Sequence, residues 1–289
     1  MTSTRYDKIG HGYARTRRED PRLAALIHAA LGDARTVVNV GAGAGSYEPA
    51  DRYVLAIEPS DAMAAQRGPD RVPAIRASAG ALPLRDRSVD AAMAILTVHH
   101  WDAEQEAGIR ELRRVARGPV VILTYDAAVA NEMWLVKDYF PEVGALDART
   151  MPPIDRVVSL LGGADVSVVP IPRDTIDWHL GSFWAHPERV LDPEARAATS
   201  GFARADPAVV TRVVTAVQRD LDDGTWETRH GALRTLADYD AGLRLISSSG
   251  ASPPTPPPQT RPAKTRVASQ PLARSLLGPR HSLTPLSGS

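Results

Sequence analysis

Cysteine is absent from all 289 residues, and that gap removes several chemistries. No disulfide framework, thiolate nucleophile, Cys-ligated zinc or iron–sulfur cluster can be built without it. Lysine is almost absent too. Lys8, Lys137 and Lys264 are its three positions, so arginine supplies nearly all of the 34 positive charges. An excess of either charge is also lacking: 34 basic residues face 34 acidic ones. That balance makes nucleic acid no default partner. No run approaches the roughly 18 apolar residues of a membrane span. The opening residues carry Arg5, Asp7 and Lys8 and no apolar stretch like a signal peptide, so the cytoplasm is the expected compartment. No two histidines stand at HExxH spacing, and no metal site is expected. Aromatic residues make up only 5% of the chain and charged ones 24%, which fits a globular chain rather than a disordered or fibrous one.

What is present divides unevenly. Residues 247–289 hold nine prolines and nine serines, with no aromatic and no acidic residue. Pro253-Pro254-Thr255-Pro256-Pro257-Pro258 has too few backbone donors for helix or sheet. Such a segment buries too little apolar surface to offset its ordering entropy, and a disordered basic tail is expected. Residues 1–246 are expected to fold as one domain.

Within that domain strand and helix alternate. Asp20-Pro21 predicts a helix start, with Leu23, Leu26, Ile27, Ala30 and Leu31 on one face and Gly32 as the stop. Strands are expected at 36–40, 53–57, 74–77, 89–96, 120–125, 165–171 and 239–246. Helices are expected at 61–66, 104–116, 131–140 and 154–161. The strands are continuous apolar runs, as in a parallel sheet covered on both faces. The fold class is therefore α/β, a doubly wound and mostly parallel sheet. Residues 174 to about 235 read as mostly helical, an insertion suited to a lid.

The first strand runs into Gly41-Ala42-Gly43-Ala44-Gly45, and Glu58 ends the second strand 13 residues later. A turn without Cβ atoms lets a ligand approach the backbone, and the next helix would offer free N–H groups. A carboxylate at the end of the second strand can accept both hydroxyls of a ribose. Together they point to a nucleoside-containing ligand of one of two classes. A dinucleotide fingerprint needs glycine at its sixth position, where Ser46 stands. An NAD(P)-dependent oxidoreductase is thus one reading. The other is an S-adenosylmethionine (SAM) site, either active or as a binding module without catalysis.

Several further stretches bear on the choice. Val37-Val38-Asn39-Val40 through Gly45 resembles the first motif of the class I SAM-dependent methyltransferases. Ala56-Ile57-Glu58-Pro59-Ser60 resembles their second. Ala79-Gly80-Ala81-Leu82-Pro83-Leu84, followed by Ser88-Val89-Asp90, resembles their "AExLPF…SFD" stretch. Leu96 to Trp101 resembles the end of strand four, and Glu111 to Val115 the helix before strand five. The resemblance covers most of residues 6–126. It implies a Rossmann-like methyltransferase fold with strand order 3-2-1-4-5-7-6, strand seven antiparallel. It implies SAM contacts from Gly41, Gly43, Gly45, Glu58, Ser78 and Ala79. Tyr6 and Tyr13 resemble the segment that closes over SAM in small-molecule methyltransferases, or they pack as a surface pair. Departures exist: Ser78 stands where an acid often meets adenine, Gly80 replaces a glutamate, and Arg117-Gly118-Pro119 inverts the usual Pro-Gly-Gly.

Methyl transfer from a sulfonium needs alignment more than acid catalysis. A base is required only for a hydroxyl or acidic carbon. His99 and His100, at the C-terminal end of strand four, are the candidates, with packing beneath the cofactor and helix capping as the alternative. There is no Asn/Asp-Pro-Pro-Tyr after strand four, so the amino-methylating DNA enzymes do not fit. A small-molecule acceptor is expected, with Trp134, Trp178, Trp184 and His230 as candidate contacts; the alternative is that the aromatics form the lid's own core. The oligomeric state is open.

Overall fold

Asp20 and Pro21 open the first helix of the computed structural model, which describes residues 17–249. The Asp20 carboxylate accepts from the Arg22 N–H, and proline occupies a position whose donor would be unpaired in any case. This helix, α1 (Pro21–Ala30), buries Leu23 and Ile27. The chain turns away at Gly32, where φ is +56°.

Five parallel strands follow: β1 (Thr36–Val40), β2 (Tyr53–Ile57), β3 (Ala74–Ile75), β4 (Ala91–Ile95) and β5 (Val120–Tyr125). β6 is Asp165–Val168. β7 (Ile171–Pro172) and β8 (Asp238–Tyr239) make a separate two-stranded ribbon. β9 (Leu243–Ser248) returns antiparallel between β5 and β6. The large sheet has seven strands in the order 3-2-1-4-5-9-6. Since β9 is its seventh strand, this is the expected order, with the expected antiparallel closure.

Alternation along the strands gives the sheet two covered faces. Val37, Ala91, Met93, Val121 and Leu123 share one buried cluster with Leu23 and Ile27 of α1. Val38, Ala92, Ala94, Val120 and Ile122 share the other with Ile109, Leu112 and Val115 and with Val157 and Leu161. Between strands lie α2 (Asp61–Ala64), α3 (Gln105–Val115), α4 (Ala127–Ala130), α5 (Pro141–Thr150) and α6 (Ile154–Leu160). Ile109, Leu112 and Val115 fall at three-residue spacing on the inner side of α3, as the sequence pattern predicts.

Several local expectations change. No helix follows the glycine turn; residues 41–52 run as turns and bends to β2. Tyr47, at φ +65° and 1% exposed, fills the space there instead. The helix expected over 131–140 becomes a turn that follows α4 and then a π-helical turn, Leu135–Tyr139. The sixth strand breaks at Pro170, which has no N–H for a ladder. The closing strand begins at Leu243 because Gly242 bends at φ +89°. It runs on to Ser248, whose Oγ accepts from the Val120 N–H, so Ser247 and Ser248 belong to the sheet rather than to the tail. Residues 250–289 lie outside the described residues.

Between β7 and β8 stand 3-10 turns at Leu180–Phe183 and Pro187–Val190, then α7 (Pro193–Ala197) and α8 (Ser200–Arg204). The longer α9 (Pro207–Asp222), α10 (Thr225–His230) and a last 3-10 turn follow. Phe183, Trp184, Val190, Phe202, Val213, Val217 and Trp226 of this insertion are buried in the same cluster as α1 and the β4 and β5 side chains. The insertion therefore shares the sheet's core rather than forming its own.

Candidate active site

The glycine turn is stitched onto the end of β2. The Gly41 and Ala42 N–H groups both donate to the Ile57 carbonyl at 2.9 Å. Gly41 has φ +71°, and a Cβ there would lie 2.1 Å from Thr97 Oγ1. Glycine alone combines that conformation with that approach. Glu58 follows β2 directly and is 5% exposed. One of its oxygens accepts from the Gly43 N–H and the other from the Ser60 N–H, each at 2.8 Å. Behind the turn Arg67 and Glu48 form a buried ion pair at 2.7 Å. Arg67 also donates to the Gly43 carbonyl, and Asn39 donates to Glu48.

In front of the turn opens a cavity of about 540 Å³. Gly41, Gly43, Glu58, Ser78, Ala79, Thr97 and Trp101 line it. Its far wall is held by α3. Glu111 accepts from the Leu82 N–H, and Arg114 donates to the Leu82 and Leu84 carbonyls. Gly108 leaves room for the Trp101 ring, which a Cβ would meet at 2.6 Å. Three lining residues take left-handed backbone without being glycine: Tyr47 at φ +65°, Leu96 at φ +52° and Asp102 at φ +46°. A bulky side chain in that region is strained, and such strain gathers at functional sites.

A second cavity, of about 70 Å³, adjoins the first. Arg17, Leu96 and His100 line both. The second is otherwise walled by aliphatic side chains, including Met133, Val136, Val143 and Met151, by Thr199 and Ser200, by two glycines, and by His99, Tyr125, Asp147 and His179. Burial pushes His99 down to about 3 and His179 down to about 4, so both rings are neutral near pH 7. His99 Nδ1 has no hydrogen-bond partner among the described residues. The Tyr125 hydroxyl sits 2.6 Å from His179 Nδ1 and donates to that neutral ring. A Cβ on Gly181 would fall 2.3 Å from the same hydroxyl. Arg17 is fastened by Asp177 at 2.5 Å, and Asp177 also accepts from the Tyr47 hydroxyl at 2.7 Å. Asp147 is the exception among these groups: burial raises it to about 6.

A family model described as a methyltransferase domain matches residues 38–122. A solved structure described as a methyltransferase from an antibiotic biosynthesis pathway of Anabaena variabilis ATCC 29413 is 32% identical. The match covers 81% of this chain and 98% of that one, with a TM-score of 0.74. The chain belongs to the class I SAM-dependent methyltransferases. More distant solved structures also match. A SAM-dependent methyltransferase from Thermotoga maritima has a TM-score of 0.43 at 19% identity, over 60% of this chain and 86% of that one. Geranyl diphosphate C-methyltransferase from Streptomyces coelicolor A3(2) has 0.45 at 14%, over 80% and 79%. No curated protein matches the chain.

In this methyltransferase the residues expected at the cofactor converge on one cavity: Gly41, Gly43, Glu58, Ser78 and Ala79 line it. Gly45 does not line it; at φ +94° it closes the turn against Glu48 and Arg71. Tyr6 and Tyr13 lie outside the described residues. The His99 and His100 rings lie 3.8 Å apart between centroids, tilted by 49°; His99 faces the smaller cavity and His100 both.

The four candidate acceptor contacts line neither cavity. Trp134 and Trp184 are buried, and Trp134 Nε1 donates to the Trp184 carbonyl at 2.8 Å. Trp178 lies under the Arg189 guanidinium. His230 meets Asp138 at 3.0 Å, beside the Trp134 and Trp226 rings. The large rings are used where they bury most area, in the shared core. The sequence reading did not single out Arg17, Tyr125, Asp147, Asp177 or His179. Tyr125 carried a usable signal, since it ends β5 at the carboxyl edge where open α/β sheets bind ligands.

Proposed function

We propose that this methyltransferase binds SAM in the larger cavity and moves its methyl group to a small-molecule acceptor in the smaller one. The observation that carries this reading is the shared wall. Arg17, Leu96 and His100 bound both cavities, so groups held in each would face one another there. The larger cavity fits the cofactor's chemistry: a glycine cradle that a Cβ would fill, and a buried carboxylate at its rim. When bound, SAM supplies a methyl on a positively charged sulfur, with a neutral thioether as the leaving group.

The chain's own residues then align, orient and exclude water. Gly41 and Gly43 let the ligand approach the backbone. Glu58, fixed by two backbone donors at the rim of the cavity, is placed to accept from ribose hydroxyls. Ser78 and Ala79 sit on the adenine side. An acceptor hydroxyl or amine proton would pass to an imidazole: His100 borders both cavities, while His99, which burial pushes down to about 3, is the weaker base. Asp102 and Trp101 close the cleft beyond them.

Replacing Glu58 with alanine tests the cofactor assignment. SAM binding should weaken by about 1.5–3 kcal/mol, the scale of a charge-assisted hydrogen bond. Calorimetry with SAM and NADH side by side reads it. Unchanged SAM affinity in the variant refutes the ribose contact, and tight NADH binding without SAM binding refutes the cofactor.

A further inference from the structure

The smaller cavity contains one carboxylate that no donor reaches among the described residues. Asp147, on α5, lines it together with His99, His100, Tyr125 and His179. Among the described residues no hydrogen bond or ion pair reaches its carboxylate. Arg17, the other charged side chain of the lining, is already matched by Asp177. Arg204 acts on Asp147 only through space. The histidines do not compensate either, because burial keeps His99 and His179 neutral. The cavity is thus aliphatic over much of its wall, with one carboxylate that is offset among the described residues by the nearby Arg204 alone. Asp147 is half-buried, and a carboxylate without donors in such a setting favours a cation brought to it.

We infer that Asp147 is the anchor for an acceptor that carries an ammonium group. The aliphatic walls at Met133, Val136, Val143 and Met151 would hold the acceptor's hydrocarbon body. This deepens the proposed function and rests on it, since it takes the smaller cavity as the acceptor site. A pH dependence follows. Asp147 sits at about 6 without a ligand, and a bound cation pulls it down. Affinity for a cation therefore falls as the carboxylate is protonated below pH 6. The groups facing Asp147 across the cavity are His99, His100, Tyr125, His179 and Arg17, with Arg204 nearby. Of these, His99 and His179 stay neutral until the pH nears 3 and 4.

The test uses the full chain saturated with S-adenosylhomocysteine, and three probes of matched shape: benzylamine, benzyl alcohol and benzoate. Benzylamine should bind about tenfold or more tightly than benzyl alcohol, with benzoate weakest. Asp147→Asn should bring benzylamine to the level of the alcohol and leave the alcohol unchanged. In the unsubstituted protein the amine preference should shrink between pH 7 and about pH 5. That series decides the matter even if the variant fails to fold. Equal binding of amine and alcohol, no amine binding, or a preference that survives in Asp147→Asn overturns the inference. If S-adenosylhomocysteine itself does not bind, the cofactor reading falls and this inference with it. If it binds and the amine is not preferred, the Asp147 inference alone falls.

Discussion

Gly41→Ala tests whether the cradle is as tight as its geometry implies. The added methyl meets two penalties. At φ +71° an L side chain is strained, at a cost of about 1–2 kcal/mol. The Cβ would also lie 2.1 Å from Thr97 Oγ1 and 2.9 Å from Thr97 Cβ and Cγ2. Thr97 is buried at the end of β4, so it cannot swing into solvent. Overpacking of this kind costs about 1–3 kcal/mol. The two together give about 2–5 kcal/mol. Gly43→Ala is the control: its φ of +52° carries similar strain, but its Cβ meets only the flexible Met63 Cε, at 3.3 Å. It should lose about 1–2 kcal/mol. Urea unfolding gives the stabilities, and calorimetry with S-adenosylhomocysteine gives the binding loss. Thr97→Ala removes two of the three close atoms and should recover about 1–3 kcal/mol in the double variant with Gly41→Ala. Equal damage from the two glycine substitutions, or strict additivity in the double variant, refutes the close approach.

Arg67→Met should leave Glu48 charged and alone in the interior, costing about 3–5 kcal/mol in urea unfolding; a loss below 1 kcal/mol would mean that the pair does not buttress the turn. Gly181→Ala should destabilise by about 1–3 kcal/mol through its contact with the Tyr125 hydroxyl, and Tyr125→Phe should relieve it; no relief places the clash elsewhere. Acid should weaken the fold between about pH 6 and pH 4. His99 and His179, ordinarily near 6.5, are depressed in the folded state, so unfolding takes up their protons and stability falls as pH falls. Asp147, raised from 3.8 to about 6, opposes them, since the folded state takes up its proton first. Two histidines against one carboxylate leave a net loss of about 1.4 kcal/mol per pH unit. Unfolding curves that are flat or more stable at pH 4 contradict that sign.

The parts of the fold legible in sequence are those decided by neighbours along the chain. Asp20-Pro21 caps α1 because the capping bond spans two residues. The β4 and β5 runs read as buried strands because both sheet faces are covered. Where distant partners decide, the reading shifts. The helix expected after the glycine turn is replaced by Tyr47, whose hydroxyl is satisfied by Asp177, 130 residues away. The break at Pro170 and the bend at Gly242 were each visible as residues. Their consequence, a separate two-stranded ribbon of β7 and β8, depends on pairing across about 60 residues of insertion.

The site divides along the same line, and the scarcity of aromatic residues explains which half was misplaced. The expected cofactor residues of the stretch 41–79 are motif positions, and all of these but Gly45 meet at one cavity; Tyr6 and Tyr13 lie outside the described residues. The smaller cavity draws on Arg17, on 96–100, on Tyr125, on 133–151 and on 179–201, segments that only packing brings together. Large rings seemed its natural lining, yet the chain has only five tryptophans and three phenylalanines to fill a core on the insertion side of the sheet. Trp134, Trp184, Trp226, Phe140, Phe183 and Phe202 are all buried there. Burying them there returns more apolar area than a half-open pocket would. Apart from Tyr125, the walls near His99 are then left to aliphatic side chains, histidines and Asp147. If the smaller cavity is the acceptor site, as proposed, a core that consumes the rings leaves charge and hydrogen bonding, rather than stacking, to choose the acceptor.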